Sequence, residues 1–159
     1  MQTEDRLGHL LIIAATLFAS LVFAIVSVAT GGWSNRIQTS LLQFYQASGL
    51  LWAVGCVVLI ILGIICLSLS AIILFARFFN HGKGRAILGG VLSIFSACVF
   101  IVSLGIFMGQ ETPQLATYGF SFALLWCAVI PAIIAGIVFF LLKDTDFLNS
   151  AMKYSAAAQ

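Results

Sequence analysis

The side chains that could carry chemistry are few in this sequence and lie far apart. Each cysteine lies inside an apolar run, without the CxxC or Cys/His spacing that holds zinc; the four are Cys56, Cys66, Cys98 and Cys127. Free cysteine in such surroundings behaves as a small apolar side chain. We therefore predict packing cysteines, no disulfide framework and no metal site. His9 lies near the start of the first apolar run, where a solvated histidine at headgroup depth is expected.

The long apolar runs contain no charged residue, which argues against several kinds of membrane enzyme and transporter. A rotary-ATPase proteolipid needs a carboxylate at mid-membrane, and a quinone-linked thiol oxidase needs paired cysteines at the membrane face. A membrane enzyme of glutathione or eicosanoid chemistry needs arginines and tyrosines around its site. We therefore predict a protein that is not an enzyme, with no catalytic residue and no cofactor.

A glycine-rich basic segment, Gly-Lys-Gly-Arg at 82–85, lacks the GKS/T sequence and the preceding strand of a phosphate loop. We expect Arg77, Lys83 and Arg85 to form instead a basic cytoplasmic loop that is attracted to anionic lipid. The net charge is only +2 and the basic residues are scattered, so a nucleic-acid partner is not expected.

The composition requires a membrane environment. Of the 159 residues, 62% are apolar and 8% are charged, with a mean hydropathy of +1.17, whereas soluble domains have about 25% charged residues. Crossing the hydrocarbon takes about 20 apolar residues. Four runs are long enough, and we predict transmembrane helices over about 8–30, 49–76, 86–108 and 119–142. The sequence therefore predicts an all-α bundle of four transmembrane helices within residues 1–142.

The basic residues set the expected orientation, because they favour the cytoplasmic side. Six of the seven fall on one side of the four spans and only Arg36 falls on the other; the six are Arg6, Arg77, Lys83, Arg85, Lys143 and Lys153. We therefore expect both termini and the middle loop in the cytoplasm, in a multi-pass protein of the plasma membrane. Residues 143–159 form a polar cytoplasmic tail, which we expect to be partly disordered.

Small residues recur along the last two spans. They are Gly89, Ser93, Ala97, Gly105 and Gly109 in the third span, and Ala132 and Gly136 in the fourth. Helices in lipid associate where small residues let their backbones approach closely. We predict that these residues mediate helix packing, either within the bundle or against another protein. Trp33 follows the first run and is expected to anchor that helix at the membrane interface.

Three segments have the order and spacing found in one superfamily of membrane tetraspans. They are IVSVATGGW (25–33), NHGKGRAILGGVLSIFSACVF (80–100) and YGFSFALLWCAVIPAIIAGI (118–137). They resemble the closing tryptophan of the first helix, the Lys-Gly-Arg turn into a Gly-bearing helix, and the aromatic–Gly–aromatic–Ser–Phe entry of the fourth helix. The superfamily is that of claudins, epithelial membrane proteins, peripheral myelin protein and stargazin, and the resemblance covers the helical part of the chain.

The first extracellular loop departs from that pattern. Members of the superfamily have a longer loop, with a Gly-Leu-Trp motif and two disulfide-bonded cysteines that brace a small β-sheet. Here only about 18 residues lie between Thr30 and Gly49, and the similar sequence GLLWAVGC (49–56) continues directly into the second span. This loss argues against a claudin-like paracellular barrier and leaves the helices as the main surface for interaction.

The resemblance implies a protein that works by binding other proteins. Because the loop is short, we favour an auxiliary or scaffolding subunit of a larger membrane complex, such as a channel or receptor. The alternative is a cell-junction or adhesion tetraspan that self-assembles within the plasma membrane. The expected partners are membrane lipid and either another integral membrane protein or a second copy of this chain.

Overall fold

The computed structural model describes residues 2–34, 40, 43, 46, 49, 51–79, 83–110 and 118–157. Within them lie four helices: α1 (Gln2–Ala29), α2 (Leu51–Phe79), α3 (Lys83–Gln110) and α4 (Phe120–Ala157). The described residues form no strand, only an isolated antiparallel bridge between Ser34 and Tyr118. The prediction of an all-α chain with four membrane-spanning helices is confirmed.

Each helix contains a segment that is long and apolar enough to cross a membrane. The segments are Leu7–Ala29, Leu51–Arg77, Ala86–Gln110 and Phe120–Leu142. Their lengths of 23, 27, 25 and 23 residues correspond to roughly 34–40 Å at about 1.5 Å per residue. That exceeds the hydrocarbon thickness of about 30 Å, and every bound lies within two residues of the predicted one.

The helices pack in a ring, in chain order. Helix α2 contacts α3, α3 contacts α4, and α4 returns to contact α1. The contact between α1 and α2 is the least extensive of these four neighbouring pairs. Since consecutive helices run in opposite directions, the end of α1 lies beside the start of α4, where the Ser34–Tyr118 bridge forms.

Apolar side chains occupy both the inside and the outside of the bundle. The largest fully buried ones are Trp33, Phe100, Phe107, Phe139, Ile13 and Leu17, all at most 1% exposed. Others point outward, including Phe18 (72% exposed), Phe75 (66%) and Phe120 (68%). A soluble protein would not expose so many large apolar groups. The outer surface therefore suits contact with lipid.

Trp33 lies in the core, so the expectation of an interface anchor is corrected. It is 1% exposed, and its ring centroid lies 5.4 Å from that of Phe107, which also contacts Trp52 and Phe122. An interfacial tryptophan directs its N–H toward water or headgroups, whereas the Trp33 Nε1 is buried and has no hydrogen-bond acceptor among the described residues. These aromatic rings close the bundle at the end where α1 meets α4.

The polar tail is helical, which differs from the expectation of partial disorder. Helix α4 continues without a break from its membrane span to Ala157. Extending an existing helix adds one hydrogen bond for each residue fixed, without a new nucleation cost. The sequence contains no glycine or proline after Gly136, so no residue of the tail strongly opposes this extension.

Candidate helix-interaction surfaces

A row of hydrogen bonds joins α2 to α3. Ser70 Oγ donates to the Gly89 carbonyl at 2.9 Å and Ser96 Oγ to the Gly63 carbonyl at 2.9 Å. At the far end, Ser103 Oγ donates to the Cys56 carbonyl at 3.2 Å and the Cys56 thiol donates to the Ser103 carbonyl at 3.6 Å. On each helix the three positions are seven residues apart. This spacing is that of two antiparallel helices packed as in a coiled coil.

The same spacing recurs between α1 and α4. Ser20 Oγ donates to the Ala128 carbonyl at 2.7 Å, and Ser27 Oγ donates to the Ser121 carbonyl at 2.8 Å. Each of these four residues is fully buried. Because a step of seven returns to within about 20° of the same helix face, two such pairs fix the register of the two helices.

These serines stabilise the bundle in the membrane, where burying an apolar side chain in the core is little better than leaving it in lipid. Lipid tails are as apolar as the core, so association depends on packing and on polar contacts between helices, worth about 0.6–2 kcal/mol each. Seven buried serines donate to the carbonyl of a neighbouring element: Ser20, Ser27, Ser70, Ser93, Ser96, Ser103 and Ser121. We conclude that they serve the bundle's own cohesion.

Helices α3 and α4 cross at glycines. A Cβ on Gly90 would lie 3.3 Å from the Gly136 carbonyl, and a Cβ on Gly136 would lie 3.3 Å from the Gly90 carbonyl. Ser93 Oγ donates to the Ala132 carbonyl at 2.8 Å beside this crossing. A Cβ on Gly89 would meet the Phe139 ring at 2.9 Å.

The predicted packing residues therefore fall into two groups. Five of them are buried inside the bundle, at the contacts of α3 with α2 and α4 or within the core: Gly89, Ser93, Ala97, Ala132 and Gly136. Gly105 and Gly109 are exposed, and a Cβ on either would meet nothing within 4 Å. For those two glycines packing within the bundle does not hold, and interaction with another protein stays a prediction.

The rotation of an α-helix explains this division. Residues four apart advance by about 40° around the helix, so the sixteen residues from Gly89 to Gly105 move the position by about 160°. The stripe therefore leaves the interior as it ascends α3. The seven-residue series Gly89, Ser96 and Ser103 stays on one face and marks the true inner contact.

The outer face of α3 carries the two exposed glycines within an apolar surface, which we call the α3 outer face. It consists of Cys98, Ile101, Val102, Gly105, Met108 and Gly109, all of them exposed. The Gly105–Gly109 pair has the GxxxG spacing that lets two helix backbones approach closely in a membrane. Within the part of the chain that the structure describes, no side chain fills the space above either glycine.

The predicted basic loop is placed mostly on helices. Arg77 lies in the last turn of α2 and is 1% exposed, so the expectation of a solvated loop residue is corrected. The cause is its position seven residues after Ser70, which puts it on the inner face that Ser70 occupies. Lys83 and Arg85 lie in the first turn of α3, and residues 80–82 lie outside the described part.

The end of α1 and the start of α4 form a close backbone joint. The Gly119 N–H donates to the Trp33 carbonyl at 2.9 Å, and the Ser121 N–H donates to the Gly32 carbonyl at 3.4 Å. Ser121 Oγ also donates to the Gly31 carbonyl at 2.7 Å. Gly32 has φ of +87°, a conformation that favours glycine. A Cβ on Gly119 would overlap the Gly32 carbonyl oxygen, so both turns require glycine.

Among the described residues, no three His, Cys, Asp or Glu side chains come together as a metal site would require. All four cysteines are free, with Cys56 and Cys66 buried and Cys98 and Cys127 exposed. The chain matches no known protein-family profile, and no curated protein shows a significant match to it.

Proposed function

We propose that this chain is a non-enzymatic, claudin-like tetraspan that acts through protein–protein contacts within the plasma membrane. In this proposal it is an auxiliary or scaffolding subunit of a larger complex such as a channel or receptor. The observation that carries the proposal is the α3 outer face, where Gly105 and Gly109 are exposed beside apolar side chains near the end of the helix.

Some glycines pack inside the bundle and others do not, and this difference supports an external partner. The close helix contacts inside the bundle are made at other glycines, namely Gly63, Gly90 and Gly136. Gly105 and Gly109 make no such approach. Each exposed helical glycine costs roughly 0.8–1 kcal/mol relative to alanine. A partner helix that packs against the pair would offset this cost by close backbone contact.

The resemblance to the claudin superfamily is supported by how its segments meet. The first segment, 25–33, and the start of the third, 118–137, are joined by the Gly119–Trp33 hydrogen bond and by Ser27 donating to Ser121. The middle segment, 80–100, supplies the residues of α3 that pack against α2 and α4. The three segments that carry the resemblance thus contact one another in the bundle.

The cytoplasmic placement of both termini is part of the same proposal. It follows from the excess of lysine and arginine on one side of the four spans. With four spans, both termini lie on the same side of the membrane. The Trp33 cluster and the Ser34–Tyr118 bridge then lie at the extracellular end.

The alternative, a self-assembling junction or adhesion tetraspan, is favoured by one feature of the same face. A GxxxG pair is self-complementary, since two copies can cross at the same glycines. The two functions therefore use one surface and differ in the partner that occupies it.

The test is the composition of the intact complex after isolation from the native membrane in nanodiscs. Gly105→Leu with Gly109→Leu should reduce association with the partner by about tenfold or more, because the added side chains fill the space that the partner helix needs. The control is Gly55→Leu, since a Cβ at Gly55 also meets nothing within 4 Å but lies on α2.

A stoichiometric channel or receptor that is lost in the double variant and retained in the control would support the auxiliary-subunit function. A homo-oligomer with the same sensitivity would support the self-assembling alternative. A wild-type chain that remains monomeric in native lipid would overturn both.

A further inference from the structure

Helix α4 has a proline inside its membrane span. Pro131 lies within Phe120–Leu142. Because proline has no backbone N–H, it cannot donate to the carbonyl four residues earlier, and its ring crowds that carbonyl. In α4 this is the carbonyl of Cys127, which therefore lacks its usual helical donor.

The side chains of the bundle do not replace this donor. Ser20 donates to the Ala128 carbonyl at 2.7 Å and Ser93 to the Ala132 carbonyl at 2.8 Å, so the inner side of the proline turn is bonded to α1 and α3. Among the residues that the structure describes, no side chain donates to the Cys127 carbonyl. The sequence from 122 to 142 also contains no Ser, Thr, Asn or Gln.

The Cys127 carbonyl lies on the outer side of α4. A helical carbonyl has nearly the same position around the helix axis as its own Cα, and Cys127 is exposed. Ile130 and Ile134, on the same side of the helix, are 60% and 41% exposed. We call the Cys127 carbonyl and these two side chains the Cys127 site. It combines one hydrogen-bond acceptor with an apolar surface.

The depth of this carbonyl excludes water and lipid headgroups as its donors. Cys127 comes seven residues after Phe120, the first residue of the span, or about 10 Å along the helix axis. The span exceeds the hydrocarbon thickness of about 30 Å by only a few ångströms, so the carbonyl lies roughly 8 Å inside the hydrocarbon. Acyl chains have no donor, and the backbone N–H groups of a membrane helix are already bonded. The matching donor is therefore a polar side chain on another helix.

A second copy of this chain has no free hydroxyl at that depth. Within the four spans, Thr16 and Ser68 are the hydroxyl residues that do not bond another helix, and both bond within their own. The interhelical hydrogen bonds place Leu21 of α1 and Ile61 of α2 at the level of Cys127. Thr16 and Ser68 are five and seven residues from those levels, or about 7–10 Å. Two copies related by an axis along the membrane normal keep equal depths, so neither hydroxyl meets the carbonyl.

Trp126 is the other exposed donor near this depth, and it is 42% exposed. Side chains on a helix lean toward its N-terminus, whereas the Cys127 carbonyl points toward the C-terminus. In two copies at equal depth, the indole N–H and the carbonyl are therefore offset along the membrane normal. This offset favours a different protein as the partner.

We propose that the Cys127 site binds a transmembrane helix of another protein, whose serine or threonine hydroxyl donates to the Cys127 carbonyl. This chain uses the same chemistry internally, where Ser93 donates to the Ala132 carbonyl five residues further along α4. An interhelical hydrogen bond in a membrane strengthens association by about 3- to 30-fold. The site is separate from the α3 outer face and does not depend on it.

The test observes this carbonyl directly. Cys127 and Ala128 form the only Cys-Ala pair in the sequence, so the full chain with ¹³C-carbonyl cysteine and ¹⁵N-alanine gives a single carbonyl–amide correlation by NMR in bicelles. The probe is a transmembrane polyleucine peptide with one serine at the depth of Cys127, compared with the all-leucine peptide. We expect the serine peptide alone to move the Cys127 carbonyl resonance to higher frequency, as hydrogen bonding does, and to bind about 3- to 30-fold more tightly.

Two variants and one control separate this site from other causes. Pro131→Ala supplies the missing N–H and favours the helix, so it should start at the hydrogen-bonded frequency and not respond to the serine peptide. Ile130→Ala keeps the proline and should still respond. Gly105→Leu with Gly109→Leu should also respond as the wild type does, since those glycines lie on α3.

Three results would overturn the proposal. The first is an equal response of the wild type to the two peptides. The second is a wild-type carbonyl that already has the frequency of the Pro131→Ala variant before peptide is added. The third is a shift that appears without peptide and grows with protein concentration, which would identify a second copy of this chain as the donor.

Discussion

Replacing Gly119 with alanine tests the joint between α1 and α4. The added methyl group would overlap the carbonyl oxygen of Gly32, and it would lie 3.3 Å from the carbonyl carbon of Trp33. Both obstacles are backbone atoms, so a rotamer change cannot relieve them. We expect the joint to open and to lose the Gly119–Trp33 and Ser121–Gly32 hydrogen bonds, at 2.9 and 3.4 Å.

The magnitude follows from those two bonds. Each contributes about 0.5–1.5 kcal/mol, so opening the joint costs about 1–3 kcal/mol. Alanine also lowers the conformational entropy of the unfolded chain, which stabilises the folded state by about 0.4–1 kcal/mol. The expected decrease in the free energy of unfolding is therefore about 1.3 kcal/mol from the middle of each range, and at most about 2.6 kcal/mol.

The assay is reversible unfolding in mixed micelles of mild detergent and dodecyl sulfate, followed by tryptophan fluorescence. Trp33 lies one residue from Gly32 and is 1% exposed, so in a background with Trp52→Phe and Trp126→Phe its emission reports on the joint. Gly109→Ala is the matched control. A Cβ there meets nothing within 4 Å, and its higher helix propensity should leave stability unchanged or raise it by up to about 1 kcal/mol. Equal stability of the two variants would refute the close approach of Gly119 to Gly32.

Three further predictions concern the bundle and its orientation. Ser96→Ala should lower the free energy of unfolding by about 0.6–2 kcal/mol, because it removes an interhelical hydrogen bond. Ser68→Ala should have little effect, since the Ser68 hydroxyl bonds within its own helix. Equal losses of stability in the two variants would contradict the role of the α2–α3 hydrogen bonds. Gly63→Ala should lower the free energy of unfolding by about 1–3 kcal/mol, because the new methyl group would overlap the buried ring of Phe100. Adding Phe100→Leu should restore part of that stability. If it does not, the loss does not come from contact with the Phe100 ring. An epitope inserted between residues 81 and 82 should be inaccessible to antibody in intact cells and accessible after permeabilisation, and labelling of intact cells would reverse the proposed orientation.

The spans could be predicted from the sequence because length and hydropathy decide them. Runs without charge that exceed the hydrocarbon thickness have few alternatives to a transmembrane helix. Which side of each helix faces inward was harder to predict, because the spans are apolar on every side. Hydropathy then carries no periodic signal, and the inward face is marked by small and weakly polar residues such as Ser96 and Gly63.

The candidate surface shows the same limit. The four-residue stripe correctly included Gly89 and Gly136, but it extended to Gly105, which lies on the outer face. A step of seven residues returns closer to the same helix face than a step of four does. Only the seven-residue series therefore predicts the register of α2 against α3. The burial of Arg77 could have been inferred from its place seven residues after Ser70. The partner of a helix in the ring depends on tertiary contacts, and no local pattern specifies it.

The two hydrogen-bonded seams have different consequences for how the chain is assembled during synthesis. The bonds between α2 and α3 join residues separated by 19–47 positions, so this hairpin can form as soon as its second helix enters the membrane. The bonds of Ser20 and Ser27 reach 108 and 94 residues ahead. Until α4 is inserted, Ser20 and Ser27 of α1 therefore lack their final acceptors, the carbonyls of Ala128 and Ser121. In a chain that stops before α4, those two hydroxyl groups could bond only within their own helix, as Ser68 does, so α1 would not be held to the α2–α3 hairpin by any of the serine bonds described above.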